Sequence, residues 1–395
     1  MSGPLPALRR IPVCEPYLGG REAEYVQDCL SSNWISSAGK YLTQFEAGFA
    51  RYCGCEHGIA TTSGTTALHL AVAGRGLGPG DEIIMPAFTI ASPVFAVLYA
   101  GATPVLVDVD PDTWTMRVDQ IAAKVGPRTR AILPVHMYGH PCDMDPISEL
   151  AQRHNLWVLE DAAEVHGAEY KGRKCGSLGD AACFSFYANK IISTGEGGMV
   201  VTNDAAFAER CRLLKNLAFN PDRRFVHDSV GFNYRMTNIQ AAIGLAQLER
   251  VDEYVALRRQ HAARYTALLR EVQGLRLPVE RPWARNVYWM YGVVVEDTFG
   301  CSRDELMAGL AERGVETRTF FIPMHEQPAF HRRELFCNEQ YPVASDLGRR
   351  GLYLPSSTGL SETDLAYVVD AVRDVQRVSR SRSLASSSAP FTTRR

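Results

Sequence analysis

Short apolar runs alternate with stretches of helical period through the first half of the chain. Ile83-Ile84-Met85, Val105-Leu106-Val107, Ala131 to Val135, Trp157-Val158-Leu159, Cys183 to Phe186 and Met199-Val200-Val201 each read as a buried strand. Gly64 to about Gly76, Val94 to Tyr99 and Pro146 to Arg153 read as helices between them. This alternation predicts an α/β fold, with a mostly parallel central sheet and helices on both faces.

Around Thr237 the pattern changes. Ile239, Ala242, Ile243, Ala246, Leu248 and Val251 follow one helical face, and the pattern continues to Leu269 with room for one break. Beyond Pro278, a strand over Tyr291 to Val295 and helices over Ser302 to Arg313 and Glu362 to Val378 predict a smaller C-terminal α+β domain. The expected division is a large domain over 12–250, a small domain over 251–378, and a disordered tail over 379–395, where serine, threonine and arginine dominate.

From Ile83 to Val107 no residue is charged, a length that could span a bilayer. Pro86, Pro93, Gly101 and Pro104, with Thr89, Ser92 and Thr103, instead predict strand, loop, helix and strand inside a core, so no membrane role is expected. Lys plus Arg is 42 and Asp plus Glu is 44, and 46% of the 395 residues are hydrophobic. Disorder of the whole chain is excluded, and the balanced charge gives nucleic-acid binding no support. The ten cysteines include no Cys-x-x-Cys pair, so no metal site is expected, and scattered thiols fit a reducing cytoplasm. Met1 to Ile11 lacks the apolar core of a signal peptide.

Four segments carry candidate chemistry. Thr62-Ser63-Gly64-Thr65-Thr66 leads into a helix, where exposed N–H groups can hold a phosphate or the hydroxyls can simply cap. Glu160-Asp161-Ala162-Ala163-Glu164 places an acid directly after a strand, at the end of a parallel sheet where ligands sit. That acid suits a protonated heterocyclic nitrogen, a metal or a cap. Lys190 follows Ser185 and precedes the glycine-rich turn Gly195-Glu196-Gly197-Gly198. A lysine that forms a Schiff base needs a fixed backbone and a partly desolvated amine, and the apolar, glycine-rich flanks favour that over an ordinary surface lysine. Gly231 to Asn238 is rich in amides and hydroxyls and by itself is only a helix entry. Taken together, an anion cradle, an acid after a strand, then a serine and a lysine about twenty-five to thirty residues further on suit pyridoxal phosphate.

On Ser63-Gly64-Thr65, Pro86-Ala87-Phe88-Thr89, Glu160 to Glu164, Ser185 to Met199 and Asn233-Tyr234-Arg235-Met236, the chain resembles the DegT/DnrJ/EryC/StrS sugar aminotransferases over about Pro12 to Val375. The resemblance implies an aspartate-aminotransferase-like fold and pyridoxal 5′-phosphate. Lys190 would carry the Schiff base and then move the proton; Asp161 would pair with the pyridine nitrogen. Gly64, Thr65 and Ser185 would hold the phosphate, and Phe88 would stack on the ring. Glu164 would lie by the phenolic oxygen, where many relatives have glutamine and where two negative charges repel unless one is protonated. Asn233 would reach the phosphate in a neighbouring subunit, implying a homodimer with shared sites.

Ala188 to Met199 and Arg318 to His325 look most like the GDP-perosamine synthases within that group. The implied reaction moves the amino group of L-glutamate to the C4 keto group of a nucleotide-linked 4-keto-6-deoxyhexose, with GDP-4-keto-6-deoxymannose as the expected substrate. Arg318 and His325 would be substrate contacts, or His325 a structural residue. Retention of Lys190 argues against the dehydratases that carry histidine there. The alternatives are a UDP- or dTDP-linked 3- or 4-keto sugar, or a non-catalytic binding protein on this scaffold. A nicotinamide dehydrogenase lacks its glycine fingerprint.

Overall fold

The computed structural model describes residues 9–220 and 222–387. A seven-stranded sheet runs in the order His57–Thr61, Gly198–Thr202, Ala181–Ser185, Trp157–Asp161, Thr129–Ile132, Glu82–Pro86, Thr103–Val107. Gly198–Thr202 alone runs against the other six. Trp157–Asp161 and Ala181–Ser185 are buried at every position, as strands covered on both faces must be. The uncharged run resolves into the strand Glu82–Pro86, the helix Ser92–Tyr99 and the strand Thr103–Val107. Among the described residues, no helix is long and apolar enough to cross a membrane.

The long helical pattern is two helices, Asn238–Leu248 and Val251–Leu269, broken at Glu249-Arg250. Thr237 caps the first, its hydroxyl accepting from the Gln240 N–H at 3.2 Å while Gln240 answers the Thr237 N–H. The second helix feeds two cores. Tyr254 and Val255 pack with the large sheet, and Ala262, Tyr265 and Leu269 with a separate cluster around Val293, Leu310 and Val372. That cluster encloses a four-stranded antiparallel sheet, Leu275–Arg276, Tyr291–Val295, Gly351–Leu354, Arg318–Thr319. It also takes in Ile11, bridged to Val315, so the start of the chain packs against the small unit. Asp108, directly after the edge strand Thr103–Val107, accepts from the Val343 and Ala344 N–H groups at 3.1 and 2.9 Å. It thereby caps the helix Pro342–Arg350 and ties the two units together.

The expected tail needs correcting. The last helix runs Glu362–Ser387, through the first half of the serine- and arginine-rich stretch. Arg380 holds it, donating to the carbonyls of Phe299 and Thr298 and to Gln273 Oε1, contacts a composition argument does not see. The remainder of the tail, 388–395, and most of the Met1 to Ile11 stretch, 1–8, lie outside the described residues. All ten cysteines are free, seven of them buried.

Candidate active site

The carboxyl ends of the central strands open into a cavity of about 390 Å³, within the usual size of small-molecule sites. It is lined by Gly64, Thr65, Asp161, Glu164, Ser185 and Lys190, six residues brought together from three of the four candidate segments. The first candidate segment caps its helix and leaves donors free toward the cavity. Ser63 is the cap, its hydroxyl accepting from the Thr66 N–H at 3.2 Å while Thr66 Oγ1 accepts from the Ser63 N–H at 2.9 Å. The Gly64 and Thr65 N–H groups behind it have no protein acceptor among the described residues, and these two residues line the cavity. An anion seated there meets unpaired donors at the positive end of the helix Gly64–Arg75. Glycine is required at 64, because a Cβ would stand 2.8 Å from Ser185 Cβ.

Asp161 ends its strand 2% exposed. Among the described residues its side chain accepts one hydrogen bond, from the Ala163 N–H to Oδ1 at 3.1 Å. The rest of its accepting capacity is free for a donor in the cavity, such as a protonated ring nitrogen. Burial raises its pKa.

Lys190 Nζ lies 3.9 Å from Glu164 Oε1, with the two side chains 9% and 5% exposed. Glu164 Oε2 accepts from the Tyr138 N–H at 2.8 Å, and Tyr138 is held at a positive φ of 50° to present it. Burial lowers the pKa of Lys190, opposed by Glu164 and Asp161. It raises that of Glu164, opposed by Lys190. Both groups are pushed toward their neutral forms, so the pair readily holds a single proton.

The other expected residues are placed elsewhere. Phe88 is completely buried and does not line the cavity; it packs on Tyr138, Phe320 and Phe321, of which Phe321 is a wall residue. Its burial seats it behind the wall rather than against a ring in the cavity. Asn233 is exposed on the surface, its Oδ1 accepting from Arg235 Nε at 3.0 Å. Arg318 is exposed and paired with Glu316 at 2.9 Å; its strand neighbour Tyr353 is the one that lines the cavity. His325 is buried, bonded to Ser345 Oγ at 3.2 Å and stacked edge-on against Tyr341, which fits the structural alternative.

The cavity also takes Tyr187, which lies inside the Ser185 to Met199 motif but was given no role, and Ser92, Trp289 and Tyr353, which no motif marked. Trp289, just before the strand Tyr291–Val295, and Tyr353, within the strand Gly351–Leu354, lie about a hundred residues or more beyond the lysine in aromatic-rich sequence of ordinary core character. His136, Glu160 and Cys175 bring three potential ligand atoms within 4.8 Å. Glu160 is already engaged, taking the His136 Nε2 contact at 2.9 Å and N–H groups of Gly176, Leu178 and Gly179. That donor set closes a buried strand end and leaves the carboxylate little capacity for a cation.

A family model described as the DegT/DnrJ/EryC1/StrS aminotransferase family matches residues 16–373. A GDP-perosamine synthase of Caulobacter vibrioides is 49% identical over 370 residues, covering 93% of this chain and 99% of that one. A GDP-perosamine synthase of Escherichia coli O157:H7 is 42% identical, again covering 93% and 99%. Among solved structures, DesV of S. venezuelae in complex with a ketimine intermediate superimposes with a TM-score of 0.85 at 39% identity, covering 90% of this chain and 94% of that one.

Proposed function

Because this chain belongs to the DegT/DnrJ/EryC1/StrS aminotransferase family, whose cofactor is pyridoxal 5′-phosphate, we propose that it makes GDP-perosamine. In that reaction the amino group of L-glutamate passes to the C4 keto group of GDP-4-keto-6-deoxymannose, leaving 2-oxoglutarate. The observation that carries the reading is the meeting of three groups in one cavity: unpaired N–H donors, an under-used buried carboxylate and a desolvated lysine.

These residues fit the cofactor. The Gly64 and Thr65 N–H groups and the Ser185 hydroxyl hold its phosphate. Asp161 accepts from its ring nitrogen and keeps that nitrogen protonated. The bound cofactor supplies an electron-withdrawing ring and the carbon that carries nitrogen between the two substrates. Lys190 Nζ does the proton work. In the first half it takes the Cα proton of glutamate, for which the amine must be neutral, and burial favours that form. In the second half it delivers a proton to C4 of the sugar. Glu164 and Lys190 hold one proton between them: Glu164 is a carboxylate while the amine is charged, and its pKa, raised by burial, lets it take the proton when the amine is neutral, in which form it would donate to the cofactor's phenolic oxygen.

The active unit is proposed to be a homodimer. Asn233 is exposed and outside the cavity of its own chain, as a residue serving a second copy would be. Trp34, Ile35, Ile90, Phe225 and Val230 are exposed apolar side chains that a second copy would cover. The cytoplasm is the proposed setting, where ten free thiols persist.

The absorption spectrum of the purified protein, before and after L-glutamate, tests the reading. A visible band that glutamate bleaches is expected, followed by turnover with the GDP-linked 4-keto sugar in preference to UDP- and dTDP-linked ones. Absence of the band after cofactor addition overturns the chemistry, and preference for another nucleotide overturns the substrate.

A further inference from the structure

Lys190 Nζ lies 3.5 Å from the centre of the Trp289 ring, closer than to any carboxylate oxygen described. The indole is not free to turn. Its Nε1–H donates to the Asn189 carbonyl at 2.8 Å, fixing the ring against the backbone that carries the lysine. Its own carbonyl accepts from Arg258 Nη1 at 2.7 Å, and Arg258 Nε donates to Thr358 Oγ1 at 3.0 Å. Arg258 is 3% exposed and has no carboxylate partner among the described residues, so its guanidinium is spent on neutral acceptors around this tryptophan. Behind it the chain packs on Gly139, where a Cβ would lie 2.7 Å from the Trp289 N and 2.5 Å from the Tyr288 N. Gly139 follows Tyr138, the residue whose N–H holds Glu164. One pair of interlocked turns therefore positions both neighbours of the amine.

We propose that Trp289 is a catalytic residue: the face of its indole receives the Lys190 amine in its protonated form and sets how readily that amine gives up its proton. The electron-rich face of an aromatic ring attracts an ammonium group without offering a lone pair that would tie it down. Glu164, at 3.9 Å, is beyond hydrogen-bond distance, so the amine is steadied between a carboxylate and a ring and stays free to swing. Without the ring, burial would leave the amine neutral at still lower pH. The inference rests on the reading of Lys190 as the reacting amine, and it adds a residue that no motif in the chain marks.

The test is made on the full-length chain freed of cofactor. The rate of acetylation of Lys190 by acetic anhydride is followed by peptide mass spectrometry as a function of pH, and its midpoint reports the protonation of the amine. Incorporation of 5-fluorotryptophan and then of more heavily fluorinated tryptophan keeps the shape of the ring while withdrawing electron density from its face. The midpoint is expected to fall stepwise with fluorination, and W289L to lower it by about one pH unit. W289F keeps a ring face, and its midpoint is expected to lie between those of W289L and the unaltered chain. A midpoint unmoved by fluorination and by W289F overturns the proposal, even should W289L not fold. The function reading fails separately, by the absence of a visible band when cofactor is restored to the unaltered protein.

Discussion

Glu164 Oε1 stands 3.9 Å from Lys190 Nζ, and the two groups are the charged pair at the centre of the cavity, each nearly sealed from water. Burial works against both charges at once, while each partner supports the other. E164Q keeps an oxygen for the Tyr138 N–H and removes only the negative charge. The Lys190 amine then loses its proton more easily, so the acid limb of the rate–pH profile is expected to move to lower pH by roughly one to two units. Steady-state rates across pH check this; an unmoved limb would separate Glu164 from the proton work.

K190A removes the only amine among the described residues lining the cavity. Turnover is expected to fall at least about a thousandfold. Circular dichroism should show an unchanged fold, since the side chain makes no structural hydrogen bond among the described residues. Near wild-type turnover would remove the mechanism.

D161N leaves the Ala163 N–H an acceptor but takes away the anion. A ring nitrogen without an anionic partner loses its proton, and the rate is expected to drop about a hundredfold or more. Cofactor content by absorbance, measured beside the rate, separates weak binding from slow chemistry.

G64A puts a methyl 2.8 Å from Ser185 Cβ and 3.3 Å from its Oγ, into the phosphate cradle. The Ser63–Thr66 cap is untouched, so the helix should form normally. Cofactor affinity is expected to weaken roughly tenfold or more, read by titrating the visible band.

His166 is fully buried among Phe49, Phe184 and Phe186, and burial drives its pKa down to about 3. The unfolded chain takes up that proton near pH 6.5, so the native state loses stability as pH falls from about 6.5 toward 3. H166F replaces the imidazole with a ring suited to the aromatic cage. Its unfolding free energy is expected to fall less over that interval, by an order of about 4 kcal/mol when the full shift is spanned. Denaturant melts at several pH values check this, and parallel pH dependence in both proteins would contradict it.

Much of the site was legible because local chemistry had to be written locally. Lys190, Asp161 and Glu164 follow directly from the ends of central strands, where side chains of any parallel sheet converge on a ligand. Gly64 sits at a helix start, and a helix start exposes N–H groups whatever surrounds it. The residues that escaped are those whose role depends on distant neighbours. Phe88 carries the family pattern and is nevertheless covered by Phe320 and Phe321, which arrive more than two hundred residues later. For His325 the sequence left substrate contact and structural role open, and its contacts with Ser345 and Tyr341 favour the second.

The sequence by itself determined the alternation of strand and helix, the long helical stretch from Thr237 to Leu269 with room for one break, and the order of cradle, acid and lysine. These are properties of neighbours along the chain, governed by burial period, capping and turn chemistry. Only the tertiary structure decided that Trp289 lies under the lysine amine, that Glu164 shares a desolvated pocket with it, and that Arg380 extends the last helix beyond its apolar pattern. Each depends on groups separated in sequence being held within a few ångströms: Trp289 by packing of the small unit against the large sheet, Glu164 by the large unit alone, and Arg380 by contacts within the small unit. Periodicity and composition carry no information about such pairings, because they describe which face of an element is buried and not what buries it.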